Sequence, residues 1–64
     1  DNAEAERRYV QAAKIDAEDA NIWLNLLKTS IRLKKADAAR DAGAKAVALA
    51  PGYKPFVDNL VKGL

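Results

Sequence analysis

The chain has 64 residues, half of them hydrophobic and 31% charged, with no Cys, His or Met and a formal net charge of +2. That composition excludes disulfides, Cys- or His-based metal sites, a Cys nucleophile and a His general base, and leaves the oxygen and amine chemistry of Asp, Glu, Lys, Ser, Thr and Tyr. A chain of this size buries only about 60% of its unfolded surface, so one domain is the most it can form, and its longest apolar run, Ala46 to Ala50, falls far short of the roughly 20 residues that cross a bilayer.

Alanine dominates, and no stretch alternates apolar with polar residues for the length of a strand, so an all-α chain of four helices is expected. The first, about Ala3 to Asp16, places Ala5, Tyr9, Ala12 and Ala13 on one face and pairs Glu4 with Arg8 four positions on. The second follows Asp19, a good N-cap, and runs to about Leu33 with Trp23, Leu26, Leu27, Ser30 and Leu33 facing inward. The third, about Asp37 to Leu49, carries Ala39, Ala42, Gly43, Ala46 and Val47 inward and is stopped by Pro51 and Gly52. The fourth starts at Pro55 and turns Phe56, Val57, Leu60, Val61 and Leu64 inward, with Gly63 placed to end it. Connections this short make sequence neighbours antiparallel, so the expected architecture is a run of helical hairpins in a single domain, 1–64.

Charge is unevenly distributed. Residues 1–19 set three cations against six carboxylates, a local net of −3, whereas the remainder carries +5. The densest basic cluster, Lys28, Arg32, Lys34 and Lys35, has no aromatic residue interleaved and fits the C-terminal end of a helix better than a phosphate-binding patch, so no nucleic-acid partner is expected. Trp23 is read as core rather than as a stacking platform, because it shares a face with Leu26 and Leu27. Gly43 is read as a close helix approach. The carboxylate pairs Glu4 with Glu6 and Asp37 with Asp41 have no apolar surround to raise a pKa and are read as solvated helix faces, so neither catalysis nor a cofactor is expected.

Shifting the chain by 34 residues against itself aligns Ala5 with Ala39, Ala12 with Ala46, Asn25 with Asn59, Leu26 with Leu60 and Lys28 with Lys62, and matches Ile15 with Leu49 and Leu27 with Val61 in apolar character. With Trp23, Leu26, Ala39, Ala46 and Pro51 where the signature Trp, Leu, two Ala and Pro fall, residues 20–53 resemble one complete tetratricopeptide repeat. Residues 3–18 are then similar to the second helix of a preceding repeat, and 54–64 to the first helix of a following repeat or a capping helix. The departures are Leu27 for Gly, Ser30 for Tyr, Gly43 for Phe and Lys34 for a frequent turn Gly. The first suggests a wider helix separation, and the lost aromatics a cavity open to Phe56 or Tyr53.

About 100° per residue gathers Asn21, Asn25, Lys28 and Arg32 opposite the Trp23 face, with Leu24 and Ile31 flanking them. The resemblance implies that this side of the helix lines a concave groove, that an Asn at position 25 hydrogen-bonds a peptide backbone, and that Asn59 and Lys62 extend the surface from the last helix. An amide both donates and accepts, as peptide-bond recognition requires, and the cations favour acidic side chains or a terminal carboxylate. The expected function is therefore a solenoid scaffold that binds a protein or peptide partner of acidic character. The rival readings are a self-association module, in which Tyr9, Val10 and Ile15 are covered by a second copy or by a further repeat, and a small helical nucleic-acid binder, which the modest charge disfavours.

Overall fold

Two aspartates set where the first helices begin. In a computed structural model that describes all 64 residues, the Asp1 carboxylate accepts the Ala3 N–H and the Asp19 carboxylate accepts the Asn21 N–H, each at 2.9 Å. These caps open α1 (Asn2–Ile15) and α2 (Ala20–Arg32), which are followed by α3 (Ala36–Leu49), a 3₁₀ turn (Pro51–Tyr53) and α4 (Lys54–Val61). The chain is all-helical, with no strand, and no helix is long and apolar enough to cross a membrane.

The α2–α3 corner closes by backbone geometry alone. Lys35 N–H donates to the Ser30 carbonyl at 2.9 Å and Lys34 N–H to the Ile31 carbonyl at 3.0 Å. That pair of bonds is a Schellman motif, and it requires a left-handed residue between its donors. Lys34, at φ 60°, is that residue and the only non-glycine residue with positive φ. It stands where the repeat pattern has Gly, so the conformation that a glycine adopts freely is here imposed on a side chain.

Sequence neighbours pack on each other, and specific contacts give their directions. Trp23 near the start of α2 meets Lys45 near the end of α3, and Leu27 meets Gly43 midway, so α2 and α3 are antiparallel. Lys35 at the start of α3 reaches Glu6 in the first half of α1 at 2.8 Å, and Lys14 and Lys45 in their second halves line one groove, so α1 and α3 run parallel, each packed on α2. Leu24, Leu27, Ala39, Ala42, Ala46 and Val57 form the core, with Trp23, Leu26, Ile31, Val47, Tyr53, Leu60 and Val61 packed around it. In α1 only Ala13 is buried.

Leu27 and Gly43 decide the spacing of that core. Leu27 is fully buried, and a Cβ at Gly43 would stand 2.8 Å from Val57 Cγ1 and 3.7 and 3.8 Å from the two Leu27 methyls. The bulk of Leu27 is thus accommodated by the absence of a side chain opposite it, and Leu27 with Val57 fills the space in front of Gly43. Tyr53 packs only at the edge of the core, and Phe56 stays 45% exposed.

Several expectations are corrected. The fourth helix, expected to start at Pro55 and to be ended by Gly63, runs Lys54–Val61, starting directly after a 3₁₀ turn at Pro51–Tyr53. Packing against α3 needs only one stripe of α4. Val57 is buried and Leu60 and Val61 are half-buried, whereas Phe56 and Leu64 are exposed rather than inward. Ser30, expected inward, is fully buried, but its hydroxyl has no hydrogen-bond partner. Its neighbour Thr29, also buried, donates its hydroxyl to the Asn25 carbonyl at 2.9 Å, the back-bonding that satisfies hydroxyls inside helices.

Candidate functional site

The polar side of α2 is phased by the Asp19 cap and repeats at spacings of four, three and four residues, which aligns Asn21, Asn25, Lys28 and Arg32. Two contacts carry that line toward the C-terminal segment. Tyr53 donates its hydroxyl to Asn21 Oδ1 at 3.4 Å, and the Lys28 ammonium lies 5.5 Å from the Phe56 ring centroid, within the range of a cation–π contact. Asn25 is half-buried between them. Its side-chain amide makes no hydrogen bond, and its backbone carbonyl also accepts the Thr29 hydroxyl. Arg32 is exposed in the last turn, where its charge complements the helix dipole.

The other expected site residues are distributed differently. Leu24 is 8% exposed and part of the core, so its assignment to a partner surface is corrected. α2 is the middle helix, contacted by both α1 and α3, and the row Leu24, Leu27, Ile31 supplies a second buried ridge beside Trp23, Leu26, Ser30. Ile31 is half-buried against the same core and is not a free flank of the stripe. Asn59 is exposed on α4, and Lys62 is exposed one residue beyond its end. Tyr53 and Phe56, which do meet the stripe, were read as cavity fillers or core. Their signal in the sequence is their position on either side of Pro55, at the start of a helix whose own apolar stripe begins one residue later.

The stripe is electropositive. None of Lys28, Arg32 and Lys62 takes part in an ion pair; the pairs are Arg8–Glu4, Lys35–Glu6, Arg40–Asp37, Lys45–Asp41 and Lys54–Asp58, at 2.8 to 3.4 Å. Glu4, Glu6, Asp37 and Asp41 therefore each hold a different cation, and no three acidic residues are gathered where a metal ion could be held.

A second concavity lies on the other side of α2. Between the C-terminal halves of the parallel α1 and α3 is a groove of about 590 Å³, floored by Trp23 and Leu26, walled by Val10 and Leu49, and carrying Lys14 and Lys45. Trp23, expected in the core, packs against the core from its edge and is half-buried, with one side in this groove. Its indole N–H donates to the Ala17 carbonyl at 2.8 Å, and Lys45 Nζ sits 4.6 Å from its ring centroid. Compared with protein-family models, with curated proteins and with solved structures, the chain matches none.

Proposed function

We propose that the chain is a segment of a tetratricopeptide-type solenoid that binds an extended, acidic segment of a protein partner along the α2 stripe and its continuation on α4. The observation that carries the reading is the pair of contacts Lys28–Phe56 and Asn21–Tyr53. They join the polar side of α2 to the C-terminal segment, although α4 packs on α3. Further support comes from the full burial of Ala39 and Ala46, the two small residues of the repeat signature, and from the left-handed turn residue Lys34. In the complex the Asn25 and Asn59 amides pair with peptide bonds, and Lys28, Arg32 and Lys62 take carboxylates.

The test is fluorescence anisotropy with a panel of labelled extended peptides rich in Asp and Glu. Asn25→Ala weakens binding by about 1–3 kcal/mol, the penalty for unpairing a buried hydrogen bond, while melting stays near wild type. Lys28→Glu weakens it similarly and flattens its salt dependence. Wild-type binding by both variants removes the groove reading, and a mass that doubles with concentration replaces it with self-association.

A further inference from the structure

The groove between α1 and α3 has a chemistry opposite to that of the stripe. Apart from Lys14 and Lys45 its lining is apolar, and no amide or hydroxyl side chain reaches it. The nearby Ala17 carbonyl is already taken by the Trp23 indole. An extended segment laid here has nothing to pair with its backbone N–H and C=O groups, and burying them unpaired is unfavourable. A helix brings its backbone bonds with it. The walls are two parallel helices and the floor is α2, so a helix laid between them can pack its side-chain ridges against helical surfaces on three sides. Val10 and Leu49 remain 37% and 39% exposed, so the groove is open along its length rather than enclosed as an acyl chain needs.

Charge narrows the occupant further. Both polar lining residues are lysines, one on each wall, and no carboxylate lines the groove. Lys14 has no ion-pair partner; Lys45 meets Asp41 at 3.1 Å but also reaches over the Trp23 ring. The chain's own helices do not match this pattern. The carboxylates of α1 and α4, Glu4, Glu6 and Asp58, are each already paired, with Arg8, Lys35 and Lys54, so neither helix of a second copy offers the groove lysines a free carboxylate. A second copy is thus a poor electrostatic fit. We infer that the α1–α3 groove docks an amphipathic helix of a partner protein, with large apolar side chains on one face flanked by Asp or Glu, and that it is a second interaction surface independent of the stripe.

Trp23 is the only tryptophan and lies in this groove, so its emission reports occupancy directly. The probe is a synthetic 18-residue helical peptide with Leu at i, i+3, i+4 and i+7 flanked by Glu, with a control in which every Glu is Lys. The expected result is a saturable change in Trp23 emission with the acidic peptide, at least tenfold weaker binding of the basic control, and at least fivefold weaker binding of the acidic peptide by a Lys14→Gln/Lys45→Gln variant of wild-type helicity. That variant leaves every stripe residue in place, so the outcome is separate from the test of the stripe. Equal affinity for both peptides, no emission change with either, or sedimentation showing that a second copy already covers Trp23 overturns the inference.

Discussion

The α2–α3 hairpin and the helices that flank it are built on different principles. Between α2 and α3 the seam is close: Leu27, Ala39 and Ala46 are fully buried and Ala42 nearly so, and Leu27 packs where Gly43 has no side chain. The flanks are attached more lightly. α1 contributes one buried residue, Ala13, leaves Ile15 87% exposed, and is tied by the Glu6–Lys35 pair and the Trp23–Ala17 hydrogen bond. α4 contributes only Val57. The difference teaches that small residues on one helix, more than large ones on both, make a tight interface in so short a chain, and that the two broad surfaces left over are where partners find room.

Leu27→Ala tests the contrast most severely. Removal of a fully buried Leu from a packed core lowers stability by about 3–5 kcal/mol, most of what a domain of this size has, so thermal melting followed by circular dichroism shows a largely unfolded chain at 25 °C. Ile15→Ala, in the flank, leaves the melt almost unchanged. Similar melts for the two variants dissolve the distinction.

Gly43→Ala sharpens it. The added methyl meets Val57, a short branched side chain that cannot swing aside, so the clash outweighs the better helix propensity of Ala and stability falls by about 1 kcal/mol. In a Val57→Ala background the obstacle is gone and the same substitution becomes stabilising. Urea titrations of the four proteins give the coupling, and purely additive effects place α4 elsewhere than over Gly43.

The smallest effect is expected at the corner. Lys34→Gly relieves the left-handed strain at φ 60° and raises the midpoint by about 0.5–1 kcal/mol equivalent, the advantage of Gly over a side chain in that region. A loss of stability instead means that the corner is not held in the Schellman geometry.

Helix number and the inward faces of α2 and α3 were legible because the 3.6-residue period and the Asp19 cap are local signals. Leu24 was misread because a single-stripe pattern suits a helix with one neighbour, and α2 has two; burial on the second side depends on where α1 and α3 run. Phe56 failed for the converse reason. α4 has one stripe against α3, and one residue of phase separates Val57 inside from Phe56 outside. The reciprocal fit of Leu27 and Gly43 was visible only as two separate departures from a repeat pattern, since nothing in a linear sequence says that positions sixteen apart face each other. Asn21, Asn25, Lys28 and Arg32 were recoverable from helical phase, whereas the aromatics that meet them arrive through a tertiary contact.

The pairing of each helix with its neighbours in chain order also governs how the molecule comes together in time. Contacts that lie mostly between helices adjacent in the chain require little ordering of the intervening chain, which places the folding of such topologies in the microsecond-to-millisecond range. The α2–α3 hairpin, with its Schellman corner and its close seam, is the segment able to nucleate, and α1 and α4 then add to either side of an existing surface. Opening runs in reverse. The ends fray while the hairpin persists, so both broad surfaces, each built partly from an end helix and partly from the hairpin, are assembled last and are the first to come apart.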